Sequence, residues 1–288
     1  MDTQKEKVAI ERLKAFEPDD GYYLCYSGGK DSDVIRILAD LAGVKHENVH
    51  NLTTVDAPET VQYIKSLPDV RIDYPETTMW KLIEEKMLPP NRKMRYCCEV
   101  LKEHGGDGKV KITGVRWDES AKRAESADVV KIIGKSKTTQ KEADEIGAEY
   151  RVNKQGGVLL STDNDEARRT VELCYRTRST TVNPIVDWTD RDVWDFLHHY
   201  GCASNPLYQC GFCRIGCILC PMATKKARID EFRRYPKYYR NYIRAFDRML
   251  IARRNKGLKT EWETGKDVML QWLELPPKEQ IRFEGFEL

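Results

Sequence analysis

Short apolar runs alternate with segments of helical apolar spacing over the first two-thirds of the chain. The first run, residues 22–26, is followed by a polar loop and then by apolar residues from Val34 to Leu41 at helical spacing, which Gly43 is placed to end. Further strands are predicted at 49–55, 70–74, 110–115 and 182–186. This order predicts an α/β fold with an open, mostly parallel five-stranded sheet and helices on both faces.

Two segments depart from the alternation. Residues 126–179 are polar, contain Gly156 and Gly157 and show no strand rhythm, so we interpret them as an insertion. Residues 225–259 have helical apolar spacing, with Pro236 suited to the first turn of a second helix after a break near Tyr235. We therefore expect an α/β domain over residues 1–200 and a cysteine-rich loop with a helical C-terminal region over residues 201–288.

Composition narrows the class of protein. With 40% hydrophobic and 33% charged residues, the chain is neither disordered nor collagen-like, and it has no apolar stretch long enough to span a membrane. Met1 to Ile10 lack the apolar core of a secretory signal, so we expect a cytoplasmic protein that needs no membrane. Clustered cysteines in a reducing compartment more often bind metal or perform redox chemistry than form disulfides.

Charge is unevenly distributed. Residues 225–259 carry 13 Lys or Arg against three acids, a local charge of +10, and the rest of the chain is left at −8. Arg240, Arg244 and Arg248 follow at intervals of four, which stacks them on one helix face. Such a face favours an anionic partner, and we consider nucleic acid; the alternative is a solvated face whose charges pair with the acidic remainder.

The loop between the first strand and the first helix is the strongest chemical signal. Ser27, Gly28, Gly29, Lys30, Asp31 and Ser32 read SGGKDS. Paired glycines let backbone amides face a phosphate, the helix N-terminus adds partial positive charge, and Lys30, expected to be exposed, adds a full one. The spacings of a P-loop and of a dinucleotide-binding loop are absent.

This hexapeptide resembles the loop of the PP-loop ATP pyrophosphatases, whose sheet is Rossmann-like and of the adenine nucleotide alpha hydrolase type. Further ordered matches resemble the branch of phosphoadenosine phosphosulfate (PAPS) reductases and DndC-type DNA phosphorothioation proteins. They are Arg95–Cys98 with Leu101 and Lys102; Gly114–Arg116 with Glu119 and Ser120; Asn183–Ile185 with Trp188 and Asp192–Trp194; and Asn205–Tyr208.

The resemblance implies a bound adenine nucleotide, either ATP with Mg²⁺ or a sulfonucleotide (PAPS or adenosine phosphosulfate), with its phosphates on residues 27–32. It implies catalytic roles for Lys30, Asp31 and Arg116, and nucleotide contacts from Gly114 and Arg123. Asp56 follows the second predicted strand, where it either caps the next helix or contacts nucleotide or magnesium.

Four cysteines, Cys210, Cys213, Cys217 and Cys220, read C-x2-C-x3-C-x2-C, a spacing typical of zinc or iron–sulfur ligands. The resemblance adds a second ligand set, because relatives in this branch combine an upstream Cys-Cys pair with a downstream C-x2-C. Here that set is Cys97, Cys98, Cys217 and Cys220, and we expect it to hold a 4Fe-4S cluster. The alternatives are the local set with Cys210 and Cys213, and zinc in either.

Classical sulfonucleotide reductases carry a nucleophilic cysteine in a C-terminal motif, whereas the last cysteine here is Cys220. The resemblance therefore implies ATP cleavage between the α and β phosphates, adenylation of an oxygen and its replacement by sulfur, with nucleic acid as a candidate acceptor and a cysteine desulfurase as a candidate sulfur donor. One alternative is a PAPS or adenosine phosphosulfate reductase that uses Cys210 or Cys213. Another is a non-catalytic nucleotide-sensing or DNA-binding subunit of a modification or defence complex.

Overall fold

The computed structural model describes residues 3–103, 105–134, 136–174 and 179–274 of the 288-residue chain. The strands are β1 (Tyr22–Cys25), β2 (His46–Asn51), β3 (Val70–Asp73), β4 (Val110–Ile112), β5 (Val130–Ile133), β6 (Tyr150–Val152), β7 (Val158–Leu160) and β8 (Ser179–Val182). The helices are α1 (Thr3–Ala15), α2 (Lys30–Ala42), α3 (Pro58–Lys65), α4 (Met79–Lys86), α5 (Tyr96–Leu101), α6 (Ala121–Ser126), α7 (Ser136–Ile146), α8 (Asp165–Cys174), α9 (Asp190–His199), α10 (Lys225–Arg234), α11 (Pro236–Asn255) and α12 (Gly265–Trp272). Trp117–Glu119 and Pro206–Tyr208 form short 3-10 helices.

These elements belong to two compact units. Unit 1 comprises Met1–Asn51, Pro58–Asp73 and Gly105–Ile215, and unit 2 comprises Leu52–Ala57, Tyr74–His104 and Gly216–Leu288. The eight strands of the described residues fall in unit 1, while α4, α5 and α10 to α12 fall in unit 2. The domain boundary at residue 200 that we expect from the sequence pattern remains a proposal.

The sheet of unit 1 has the strand order β3-β2-β1-β4-β8-β5-β7-β6. The first five are parallel, with Leu24 of β1 opposite Asn48 of β2 and Ile112 of β4. The predicted α/β class with a mostly parallel sheet is thereby confirmed, and all five predicted strands are present with bounds shifted by a few residues.

The strand count of five is wrong, because the polar segment 126–179 adds three antiparallel strands to the sheet. Val130 of β5 pairs with Val182 of β8, and β7 and β6 continue outward. Each added strand has only three or four residues, which is too short to display a period of two. Its partners lie far along the chain, so no local pattern announces the pairing.

The core of unit 1 lies between the sheet and its helices. Leu24, Ile112 and Val182 of the central strands are fully buried, as are Ile35 and Leu38 of α2. The expected end of α2 at Gly43 is confirmed, since Gly43 adopts the left-handed conformation with φ of 67° and its N–H donates to the Asp40 carbonyl.

Unit 2 is helical, and α11 is its central element. The predicted break near Tyr235 is confirmed, with Pro236 opening α11. Tyr242, Phe246 and Trp272 form an aromatic core whose ring centroids lie 5.0 to 6.0 Å apart, and the Tyr242 hydroxyl donates to the Ile218 carbonyl at 3.2 Å. None of the helices in the described part of the chain is long and apolar enough to cross a membrane.

Candidate functional site

The SGGKDS loop connects β1 to α2 in a single tight turn. Gly28 has a φ of 73°, and a Cβ there would lie 3.0 Å from Thr60 and Ile64 side-chain atoms, so this position requires glycine. The Gly29 N–H donates to Ser32 Oγ at 3.0 Å, and that hydroxyl donates back to the Gly29 carbonyl at 2.7 Å. The loop is therefore fixed by its own hydrogen bonds, and α2 begins at Lys30.

Two residues that precede the cysteine motif hold this loop from outside. The Lys30 N–H donates to the Tyr208 hydroxyl at 2.8 Å. Asn205 Nδ2 donates to the Gly28 carbonyl and to Thr60 Oγ1, both at 3.0 Å. Neither residue is among the site residues expected from the sequence, although both belong to the motif at residues 205–208.

Lys30 and Arg116 are both buried, with 6% and 2% of their surface exposed. This contradicts the expectation of an exposed loop cation at position 30. The reason is a distant partner: Lys30 Nζ lies 3.0 Å from Asp190 Oδ1, at the first residue of α9. Lys30 is buried because it lies in the first turn of α2 and pairs with a residue 160 positions away. The sequence of the loop alone shows neither of these features.

Arg116 is the centre of the charge network. Its Nε donates to Asp31 Oδ1 at 2.7 Å, its Nη2 to Asp190 Oδ1 at 2.9 Å and its Nη1 to the Trp188 carbonyl at 3.2 Å. Partial burial raises the pKa of Asp190, but hydrogen bonds and attraction from Lys30 and Arg116 outweigh that effect and lower it overall. Asp118 Oδ2 also lies 3.5 Å from Arg116 Nη1, so the site pairs two buried cations with three carboxylates.

Gly114 permits the close approach of β4 and α2 that brings these groups together. A Cβ at position 114 would lie 2.9 Å from both the Cβ and the carbonyl oxygen of Asp31. Lys30, Asp31, Gly114 and Arg116, four of the residues expected in the nucleotide site, are therefore neighbours in unit 1.

Two other expected nucleotide contacts are engaged elsewhere. The half-exposed Arg123 guanidinium lies 3.9 Å from Glu119. Asp56 belongs to unit 2, where its Oδ2 accepts the Thr53 N–H at 2.6 Å and its carbonyl accepts the Tyr238 hydroxyl at 2.9 Å. Nucleotide contact by Arg123 and Asp56 remains a proposal.

Unit 2 contains four half-buried cysteines that influence one another, Cys97, Cys98, Cys217 and Cys220; we call them the cysteine cluster. The hydrogen bond with Cys98, burial, and the nearby Cys217 and Cys220 raise the pKa of Cys97. The same hydrogen bond, together with Arg95, lowers the pKa of Cys98 to about 5, against the desolvation that raises it. The hydrogen bond and Arg95 therefore favour the charged form at Cys98 over Cys97.

Cations surround the cysteine cluster. Arg95 donates to Cys98, and the Lys102 ammonium donates to Cys217, whose sulfur, with Asp56, raises the pKa of Lys102 against the effect of its desolvation. Arg228 is 4% exposed, and this burial lowers its pKa, against the opposing effect of the nearby Tyr242, Glu274 and Cys220. Among the described residues, its Nε and Nη2 have no hydrogen-bond partner. A buried guanidinium such as that of Arg228 requires compensating negative charge from its surroundings.

The donor set suits a soft metal, since four thiols with cationic surroundings match thiolate coordination. The side-chain positions do not reach ligand geometry, because no three His, Cys, Asp or Glu in the described part of the chain converge to hold an ion. The chemistry of the residues therefore fits a metal–thiolate group, whose presence remains a proposal.

Cys210 and Cys213 differ from the cluster in place and exposure. Both are exposed and belong to unit 1. The Cys210 N–H donates to the Leu207 carbonyl at 3.0 Å, in the turn that follows Tyr208. A C-x2-C pair of thiols is thereby attached to the segment that anchors the SGGKDS loop.

The basic face of α11 is exposed at Arg240, Arg244 and Arg248. Arg248 lies 3.2 Å from Glu84 of α4, so one of the three has an acidic partner. Within the described residues, no ion pair involves Arg240 or Arg244.

Comparison with known proteins places the chain in a family. The profile of the "phosphoadenosine phosphosulfate reductase domain" matches residues 21–223. An uncharacterized protein of Methanocaldococcus jannaschii is 24% identical over 258 residues, covering 88% of this chain and 52% of its own length. The chain thus spans about half of that archaeal relative.

Shorter and more distant similarities concern named enzymes. A phosphoadenosine 5'-phosphosulfate reductase of Xylella fastidiosa is 46% identical over 37 residues, which is 13% of this chain and 16% of that protein. The crystal structure of the PAPS reductase of Candida auris in complex with phosphate superposes with a TM-score of 0.44 at 13% identity, over 75% of this chain and 93% of that one. On the match to residues 21–223, which confirms the resemblance seen in the motifs, the chain belongs to the phosphoadenosine phosphosulfate reductase domain family.

Proposed function

We propose that this chain binds ATP with Mg²⁺ on the SGGKDS loop and cleaves it between the α and β phosphates to activate an oxygen for replacement by sulfur. The observation that carries this proposal is the pair of buried cations, Lys30 and Arg116, that share Asp190 Oδ1 at 3.0 and 2.9 Å beside the first turn of α2. Buried, pre-oriented cations at a helix N-terminus suit the charge that develops on phosphate oxygens.

The proposed reaction has two displacements. An acceptor oxygen attacks the α phosphorus, the bond to the β-phosphate oxygen breaks, and pyrophosphate leaves with the electron pair. A sulfur nucleophile then attacks the acceptor carbon, and AMP leaves with the former acceptor oxygen. Lys30 and Arg116 would stabilise the leaving pyrophosphate, and Asp31 would orient Arg116 through its 2.7 Å hydrogen bond.

A second candidate is reduction of PAPS or adenosine phosphosulfate, favoured by family membership and by the exposed Cys210 and Cys213 beside the anchoring Tyr208. One thiolate would attack the sulfonate sulfur and release the nucleotide as its phosphate. The second would attack the resulting S-sulfonate, release sulfite and form a disulfide, which an external dithiol then reduces. Both candidates use the same phosphate site, so substrate choice separates them.

The cysteine cluster would hold a 4Fe-4S group, or zinc, through Cys97, Cys98, Cys217 and Cys220. The group would supply electrons or sulfide, or only structural support. The support for it is the shared electrostatic environment of the four thiols and the surrounding Arg95, Lys102 and Arg228.

Nucleic acid is the acceptor that the basic face of α11 would suit, and a cysteine desulfurase would suit the role of sulfur donor. Exposed Arg240 and Arg244 support the first of these, because cations without local acidic partners remain available to phosphates. If the chain proves to bind nucleotide without turnover, the role of a sensing subunit in a modification complex takes the place of catalysis.

Substrate choice is tested by two parallel reactions. The protein is incubated with ATP, sulfide and mixed tRNA and DNA, with pyrophosphate as the readout, and separately with PAPS and dithiothreitol, with sulfite as the readout. We expect pyrophosphate in the first reaction, while sulfite in the second alone would establish the reductase instead.

The dependence on the loop is tested with Lys30→Met, which keeps the volume of a buried side chain. We expect it to reduce pyrophosphate release about 100-fold or more, because it removes a preorganised charge from the leaving group. The matched control is Lys14→Met on the exposed surface of α1, which should retain wild-type rates. Wild-type turnover by Lys30→Met would contradict the assignment.

A further inference from the structure

A carboxylate oxygen occupies the point where Lys30 and Arg116 converge. Asp190 Oδ1 lies 3.0 Å from Lys30 Nζ and 2.9 Å from Arg116 Nη2. Both cations are at least nine-tenths buried, so each needs an anion at this point to offset its loss of hydration. A single oxygen held by two cations has the same donor set that a phosphate oxygen would have.

Asp31 and Asp190, the two carboxylates that lie within 3.0 Å of a buried cation, differ in freedom. Asp31 belongs to the first turn of α2 and packs closely against Gly114, where an added Cβ would lie 2.9 Å from the Asp31 Cβ and carbonyl oxygen. Its Oδ1 accepts Arg116 Nε at 2.7 Å. The side chain of Asp190, in contrast, is 58% exposed, against 26% for Asp31. Asp190 is therefore the acid that can leave the cations by rotation toward water.

The backbone of Asp190 does not need to move for this exchange. Its N–H donates to Asp118 Oδ2 at 2.9 Å, and Thr189 caps α9 through the Asp192 N–H at 3.2 Å. The start of α9 is thus fixed independently of the carboxylate. Because the exposed carboxylate regains full hydration when it rotates away, a dianionic phosphate group can displace it at little cost.

We propose that Asp190 is an intramolecular occupant of the phosphate position, which keeps Lys30 and Arg116 paired in the empty site and competes with every phosphate-bearing ligand. This deepens the proposed function and rests on it. Competition lowers the affinity for both substrate and product, and the return of Asp190 to the cations assists the departure of pyrophosphate. A residue that only maintained the structure would have the opposite effect on affinity when it was replaced.

The test is titration calorimetry with inorganic pyrophosphate at fixed ionic strength. We expect Asp190→Asn to bind pyrophosphate about tenfold more tightly than wild type, since it removes one competing carboxylate from two cations. Asp195→Asn is the matched control, because it removes the same charge from α9 at a residue paired only with Arg191, 3.6 Å away, among the described ion pairs. It should change the affinity by less than about twofold.

The outcomes separate the inference from the proposed function. Unchanged or weaker binding by Asp190→Asn and by Asp190→Ala, with wild type binding normally, overturns the inference alone. Equal tightening by Asp195→Asn overturns it too, because the effect would then be one of net charge. If neither wild type nor the variants bind pyrophosphate or ATP, the phosphate site itself is refuted and both proposals fail.

Discussion

Replacement of Gly114 by alanine perturbs the candidate site without removing any of its charges. The new Cβ would lie 2.9 Å from the Cβ and the carbonyl oxygen of Asp31 and 3.0 Å from its carbonyl carbon. Such contacts normally begin near 3.4 Å, so β4 and the first turn of α2 must separate by about half an ångström. Overpacking of this kind costs about 1–3 kcal/mol of folding free energy.

The same separation moves Asp31 away from Arg116, to which it is hydrogen-bonded at 2.7 Å. We expect this displacement of about half an ångström to lower ATP affinity about tenfold, since misplacement of positioned groups by about 1 Å can lower a rate about 100-fold. The assay is calorimetric titration with a nonhydrolysable ATP analogue, accompanied by thermal unfolding of each variant.

Gly216→Ala is the control, since no atom lies within 4 Å of its added Cβ and its φ is not in the left-handed region. It should bind nucleotide as wild type does. If Gly114→Ala also binds ATP with wild-type affinity, the close approach of Gly114 to Asp31 has no part in nucleotide binding, and the reasoning is refuted.

Three further outcomes are expected. Burial raises the pKa of Asp33 to about 6, although hydrogen bonds from Tyr26 and Tyr63 act in the opposite direction. The folded chain therefore retains a proton that the unfolded chain loses near about pH 4. As a result, the free energy of unfolding should fall by about 2–3 kcal/mol between pH 4 and 6. Denaturant titrations should show that fall in wild type and not in Asp33→Asn; a flat wild-type profile would contradict it. Anaerobically purified protein should carry about four irons per chain, which the Cys97→Ser and Cys220→Ser variants should lose and the Cys213→Ser variant should keep. Loss of iron in Cys213→Ser alone would identify the local cysteine set as the ligands. A single bound zinc in place of iron would show that the metal is zinc. Finally, nucleic-acid binding should depend less steeply on salt when Arg240, Arg244 and Arg248 are all replaced by Gln. The slope of log affinity against log salt concentration should fall by about 2 to 3. Absence of binding by wild type at low salt would refute the nucleic-acid partner.

The parts of the fold that the sequence predicts are those with local signals. Strand, SGGKDS loop and helix follow one another within residues 22–42, and Gly43 marks the helix end. Thr189 and Asp192 likewise form a reciprocal cap at the start of α9. In each case the physical cause lies within a few residues of the element.

The parts that the sequence could not predict depend on distant partners. Strands β5 to β7 exist because β8 offers an edge to pair with, and segments of three or four residues have no detectable period. Burial of Lys30 depends on Asp190, and anchoring of the loop depends on Tyr208. The grouping of an upstream and a downstream cysteine pair came from family resemblance, because spacing alone favoured the local set.

The central claim is that the Lys30 and Arg116 site cleaves ATP between its α and β phosphates. The most direct measurement uses ATP labelled at the α phosphate in one sample and at the γ phosphate in another, with sulfide and mixed nucleic acid present, and separates the products by chromatography. The account predicts α label in AMP or in an adenylated acceptor and γ label in pyrophosphate, both lost in Lys30→Met. Recovery of the α label in ADP and of the γ label in inorganic phosphate would contradict it.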